Sequence, residues 1–197
     1  MAFDFLFGQK PIHPPTPPVK VPSFPVFMGA GCEFTDGKHI LAGYQPHKEK
    51  PCISGIGGHA EQGETYLQTA YRETIEEIFH VSAIPDGLVD TLIRKMAPKD
   101  VRIKKGYVIL RFTFQDLEKL LKLCKKAKLQ SPLYPKLPRT LLEVIQQRGL
   151  SNEAELSSLC LLPVVNHNTR VGQFIHPAFV HDIYEIYQGI RKLQTTG

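Results

Sequence analysis

Tryptophan is absent from this 197-residue sequence, and methionine (3) and cysteine (4) are scarce. Cys32, Cys52, Cys124 and Cys160 form no CxxC pair, so the ligand spacing of a zinc site is missing. Each sits in an apolar stretch, which predicts buried free thiols and a reducing compartment. No apolar run approaches the roughly 20 residues needed to cross a bilayer, and no membrane association is expected. The opening MAFDFLFGQK lacks a basic n-region, a full apolar core and a small-residue cleavage site. The expected location is cytoplasmic or nuclear.

What is present fits a folded enzyme-sized domain. Hydrophobic residues make up 42% and charged residues 22%, a globular balance. The length allows one domain with a sizeable core and an appendage. Net charge is +5 and the pI about 9.0, with much of the excess between Arg94 and Lys105 and between Lys119 and Lys128. A basic excess favours anionic partners such as phosphates or nucleic acid, although a solvated lysine-rich surface gives the same numbers.

Residues 9–25 hold seven of the sixteen prolines. Proline fixes φ and removes the backbone donor, so residues 1–25 read as a polyproline-like arm. It could meet an SH3-like or WW-like partner, but an arm packed along the domain is the plainer reading. The domain proper then covers 26–197. Val26–Phe34 and His39–Tyr44 read as strands joined by an Asp36-Gly37 turn, that is, as a hairpin. Cys52–Gly55 reads as a short strand running into a glycine-rich turn. Thr65–Phe79 is the clearest helix, with Leu67, Ala70, Tyr71, Thr74 and Ile78 at helical spacing.

Leu88–Met96 and Tyr107–Phe114 are expected as strands. Residues 115–150 read as a helical insertion. In its first helix Leu117, Leu120, Leu121 and Cys124 share a face, and a second spans Thr140–Arg148. Leu159–Val165 resumes as strand, and Pro177–Leu193 forms a terminal helix. Strands, a helix, more strands and a final helix predict an α/β or α+β sandwich.

The most specific segment is GGHAEQGETYLQTAYRETIEEIF, residues 57–79. Gly58 is followed after five residues by Glu64, and after seven more by Arg72 and Glu73, then Glu76 and Glu77. Residues three and four apart share a helix face, so Glu73, Glu76 and Glu77 project together, expected opposite the apolar stripe. Three like charges on one face repel, and Arg72 alone cannot neutralise them. A divalent cation can, and hard carboxylate oxygens select Mg²⁺ or Mn²⁺. Glycines before the helix let backbone approach metal and phosphate closely. At about 6% usage per residue type, chance occurrence of the six positions is on the order of one in 10⁵.

This segment resembles the Nudix box, G-x₅-E-x₇-R-E-apolar-x-E-E-x-G-apolar, over about 23 residues. The resemblance implies an α/β/α sandwich around a mixed sheet, with residues 115–150 as an added helical insertion. It implies ligation of Mg²⁺ or Mn²⁺ by Glu73, Glu76 and Glu77, with the Gly58 carbonyl nearby. It implies a salt bridge between Arg72 and Glu64 that orients the helix. It further implies water attack on phosphorus in a nucleoside diphosphate linked to another group. A homodimer is compatible with it. Three positions depart from the pattern. Thr74 replaces an apolar residue, Phe79 replaces the glycine that would cap the helix, and His80 replaces a second apolar residue.

Gly57, His59 and Glu61 flank the segment where substrate phosphate would enter, although an exposed loop is the plainer reading for His59 and Glu61. An additional acid from a later loop is common in Nudix-like sites. Asp116, Glu143, Glu153 and Glu155 are the candidates, each more simply read as surface charge. Tyr44, Tyr107 and Phe112 could stack on a base, but strand aromatics are usually core. His167, His176 and His181 lie around the entry to the terminal helix and read as structural. Two other functions stay open. The lysine-rich stretches could carry RNA, making the 5′ cap of mRNA the substrate, or the domain could bind nucleotide without turnover.

Overall fold

The computed structural model describes residues 27–166 and 173–195, with side chains to 192. The proline-rich arm and His167 lie outside the described residues. In chain order the elements are β1 (Gly29–Phe34), β2 (His39–Gln45), β3 (Cys52–Ser54), β4 (Ile56–His59), α1 (Tyr66–Phe79), α2 (Leu88–Lys95), β5 (Asp100–Lys104), β6 (Tyr107–Phe112), α3 (Phe114–Lys126), α4 (Leu141–Gln146), β7 (Ser158–Pro163) and α5 (Pro177–Thr195).

The strands form two sheets. One is mixed, in the order β4-β1-β6-β5, with β1 and β6 parallel and the other pairs antiparallel. The second, β3-β2-β7, is antiparallel. Ala30, Cys32 and Phe34 of β1 alternate toward one face, where Val108, Leu110 and Phe112 join them under α1, α2 and α3. Tyr71, Ile75, Ile78 and Phe79 of α1 are fully buried there, each such side chain contributing about 2 kcal/mol. α5 covers the opposite side. Its Phe179, Ile183 and Ile186 pack on Ile40 and Ala42 of β2. The result is the expected α/β/α sandwich, and α3 and α4 form the helical insertion between β6 and β7.

The other face of the mixed sheet carries charge. Arg102 Nη2 and Arg111 Nε donate to the two oxygens of buried Glu33 at 2.6 and 2.5 Å, and Arg102 Nη1 reaches Glu185 on α5 at 2.5 Å. Burial pushes the Glu33 carboxyl up, and the two guanidinium groups oppose that push. A buried carboxylate persists only when so paired.

Three expectations change. Leu88–Met96 is not a strand: its buried residues fall at Leu88, Leu92 and Met96, with Val89 and Ile93 partly buried beside them, which is the period of a helix. The Asp36-Gly37 turn forms, with Asp36 Oδ1 accepting from the Lys38 and His39 amides, but a single bridge, Thr35–Ile40, joins the flanking strands. They then part into different sheets, so there is no extended hairpin. The glycine-rich segment before the helix is strand β4, not a turn. Phe79 stays helical and fully buried, and His80 supplies the left-handed cap at φ 50°.

Candidate functional site

α1 begins with a capping box in which Thr65 and Gln68 satisfy each other's backbone amides. Just outside it, Glu64 accepts from four donors. Arg72 Nε and Nη2 reach it at 2.7 and 2.9 Å, Thr69 Oγ1 at 2.8 Å and the Glu61 amide at 2.9 Å. The Arg72 hydrogen bonds hold the Glu64 carboxyl down at about 2. Arg72 Nη1 also donates to Glu73 at 2.9 Å and to Glu76 at 2.8 Å. The structure thus brings Glu64, Arg72, Glu73 and Glu76 into one contact group, with Glu77 one step round the helix.

Three contacts fasten this helix to β4. Arg72 Nη2 donates to the His59 carbonyl at 2.8 Å. The Gly57 amide donates to Glu77 Oε2 at 2.7 Å. The Glu73 carboxylate lies against Gly58, where a Cβ would meet its oxygens at 2.4 and 2.7 Å. Only glycine leaves room for that approach. Gly57 has φ 143°, a second position that favours glycine. Glu73 and Glu77 therefore lie beside the buried stripe, against the strand, rather than opposite it. The helical wheel gives the angle between side chains but not the strand that one of them meets.

Glu77 is 5% exposed, and its Oε1 has no hydrogen-bond partner. Burial drives its carboxyl well above the usual range, against the Gly57 amide. Burial likewise raises Glu73 and Glu76, opposed by Arg72. The His59 and Glu61 side chains are exposed, and Glu61 adds to the negative field at Glu76.

Of the later acids, Asp116 is spent on the α3 capping box and Glu143 accepts the Arg139 amide at 2.6 Å. Glu155 is different: its charge raises both Glu73 and Glu77. Gln45 Nε2 donates to it at 3.1 Å, and Lys48 Nζ lies 3.6 Å away. No motif surrounds it, so only the fold reveals it. Phe112 is core and Tyr107 is half-buried, its hydroxyl packed close to Gly57 and Gly31.

A second group, His181, Asp182 and Glu185, gathers on α5. Lys104 Nζ fills it, 2.7 Å from His181 Nδ1, 2.8 Å from Asp182 Oδ1 and 3.4 Å from Glu185 Oε1. That ammonium already supplies the countercharge.

Among the described residues, no helix is long and apolar enough to cross a membrane. No protein-family model and no curated protein matches the sequence. Among solved structures, the chain is similar to a bifunctional NMN adenylyltransferase/ADP ribose pyrophosphatase of Francisella tularensis, at 17% identity and TM-score 0.47. That match covers 86% of this chain and 43% of the other, so the chain spans less than half of that protein. A NUDIX hydrolase of Nitrosomonas europaea is similar at 14% identity and TM-score 0.42, over 84% of this chain and 90% of the other. A mutT/nudix family protein of Listeria innocua is similar at 16% identity and TM-score 0.37, over 86% and 96% respectively.

Proposed function

We propose that the chain is a Nudix-type pyrophosphohydrolase that uses Mg²⁺ or Mn²⁺ to cleave a phosphoanhydride in a nucleoside diphosphate linked to another group. The observation that carries this reading is Glu77 Oε1, a carboxylate oxygen buried beside Glu73 with no hydrogen-bond partner. A buried unpaired charge costs several kcal/mol unless a counterion meets it. Arg72 is committed to Glu64, Glu73 and Glu76, so it does not serve Glu77.

The donor set is all hard oxygen, which suits these cations. Glu73, Glu76 and Glu77 would hold the ion, with the Gly58 backbone alongside. Bound there, the ion would supply Lewis acidity and positive charge toward the diphosphate oxygens. The chain's own residues do the rest. Arg72 and Glu64 lock the angle of α1 over β4. Gly57 and Gly58 keep that strand free of side chains where the carboxylates land. His59 and Glu61 stand exposed at the rim for the incoming phosphates. Glu155 takes the proton of the attacking water, so that a new O–P bond replaces the bridging one.

One surface favours capped RNA as a second reading of the substrate. Lys119, Lys122 and Lys126 share the outer face of α3, and Lys119 Nζ donates to the Lys95 carbonyl beside Arg94 at the end of α2. These cations are exposed and make no ion pair among the described residues, and a phosphate backbone needs only such a face. A nucleotide-binding module without turnover is disfavoured by the complete carboxylate set. The experiment is a turnover screen with Mg²⁺ and with Mn²⁺ across nucleotide sugars, dinucleoside polyphosphates, modified triphosphates and capped RNA. Metal-dependent release of a nucleoside monophosphate or diphosphate is expected. No release from any substrate with either ion would refute the reading.

A further inference from the structure

The C-terminal end of α1 is finished by the insertion as well as by its own left-handed His80. With Phe79 in place of a capping glycine, the last carbonyls of the helix need donors from elsewhere. Arg148, just past α4, donates through Nη1 to the Ile78 carbonyl and through Nη2 to the Glu77 carbonyl at 3.0 Å. Ser131 Oγ donates to the Phe79 carbonyl at 2.5 Å. The Arg148 guanidinium lies 6.0 Å from the Tyr134 ring centre, and that ring meets Phe79 edge-on at 5.8 Å.

The same Nη2 of Arg148 also donates to the Leu156 carbonyl at 2.6 Å. Leu156 follows Glu155. Ala154 and Leu156 are fully buried, which turns Glu155 outward between them. One guanidinium nitrogen therefore ties the backbone of Glu77 to the loop that carries Glu155. A planar guanidinium can hold three carbonyls in fixed directions, and an ammonium cannot.

We propose that Arg148 is a positioning residue that sets the Glu155 loop in register with the carboxylate end of α1, and so fixes Glu155 relative to Glu73 and Glu77. This rests on the pyrophosphohydrolase reading above. It gives the insertion a task at the site: Arg148, near its C-terminal end, completes the helix and aims the loop.

The test uses the full chain and four variants, Arg148→Lys, Arg148→Gln, Glu155→Gln and the double Arg148→Lys/Glu155→Gln, with Ser131→Ala as the stability control. Ser131→Ala removes a donor to the same helix end without touching the 155 loop. Turnover on the best substrate of the screen, Mn²⁺ affinity by calorimetry and thermal midpoint are measured together. Arg148→Lys should lower kcat about 10-fold, as loss of a supporting hydrogen bond does at metal sites, with KM within about twofold of wild type. Mn²⁺ affinity should stay within about twofold of wild type, because the loss acts through Glu155 and not through Glu73, Glu76 or Glu77. The double variant should be no slower than Glu155→Gln, because both changes act through one side chain. Ser131→Ala should lower the thermal midpoint and leave kcat unchanged.

If the two kcat losses multiply in the double variant, or if both Arg148 variants behave like Ser131→Ala, the proposal fails and the site reading stands. If the wild type neither binds Mn²⁺ nor turns over any substrate, the site reading fails and takes the proposal with it. Arg148→Gln keeps one donor in place should the lysine variant fold poorly.

Discussion

Glu77 accepts the Gly57 amide through one carboxylate oxygen and leaves the other buried without a partner. The unpartnered oxygen costs stability in the free protein and, on the proposed reading, would serve as a ligand once metal binds. Glu77→Gln separates the two effects. The glutamine oxygen keeps the Gly57 bond, and the uncharged amide replaces the unpaired oxygen. The variant should gain about 1 kcal/mol without metal, or roughly 2–4 °C in Tm for a domain of this size. Its activity should fall at least about 100-fold. Calorimetry and turnover on one preparation check both. A less stable variant would show that the orphaned oxygen carries no cost.

Gly58→Ala places a methyl group where the Glu73 carboxylate now lies. Glu73 must swing away, and Arg72 then loses one of its acceptors. Turnover should drop at least about 10-fold while Tm falls by only a few degrees. An alanine variant with normal turnover would mean that Glu73 need not lie against the strand.

Arg72 neutralises Glu64, Glu73 and Glu76 together, so Arg72→Gln leaves three facing carboxylates. The metal-free variant should lose about 1–3 kcal/mol. Saturating Mg²⁺ should raise its Tm by more than it raises that of wild type, because the ion then supplies the missing charge. Equal metal-induced shifts would separate Arg72 from the ion's ligands.

Acid titration isolates the Glu64–Arg72 pair. The folded carboxyl is depressed from its ordinary 4.5 to about 2. A depressed acid stabilises the fold above its unfolded pKa and loses that contribution as pH falls through the folded value. The stability difference between wild type and Glu64→Gln should therefore be flat from pH 7 to about pH 5 and shrink between about 4.5 and 2. Denaturant melts at a series of pH values measure it. A difference that vanishes above pH 5 would contradict the pairing.

The capped-RNA reading has its own signature. Binding of a 20-nucleotide RNA should weaken with salt, and the triple change Lys119→Glu, Lys122→Glu and Lys126→Glu should reduce the slope of log K against log salt by about 1 for each lost phosphate contact. Turnover of free dinucleotides should not change. An unaltered salt slope would remove RNA from that face.

The sequence announced α1 and its carboxylates because a 3.6-residue period and a fixed spacing are local properties. Register against other elements is not local, and the misreadings cluster there. Nothing near Glu77 says that β4 lies beneath it, so its burial was out of reach. β5 went unread because Asp100, Arg102 and Lys104 give its inner face charge, while Val101 and Ile103 on the other face are 39% and 48% exposed. Its pattern makes sense only once Glu33 and α5 are placed above it. Leu88, Leu92 and Met96 carry a helical period, but in so short an apolar run the period alone does not separate helix from strand. Arg148 meets backbone carbonyls and Glu155 sits on a loop, and neither arrangement leaves a residue pattern.

The most direct measurement is a crystal of the wild-type chain grown with Mn²⁺, read by anomalous scattering at the manganese edge. The account predicts a peak in contact with Glu73, Glu76 and Glu77, and loss of that peak in Glu77→Gln. A crystal with no manganese beside that face, with Glu77 Oε1 still unpartnered, would contradict it.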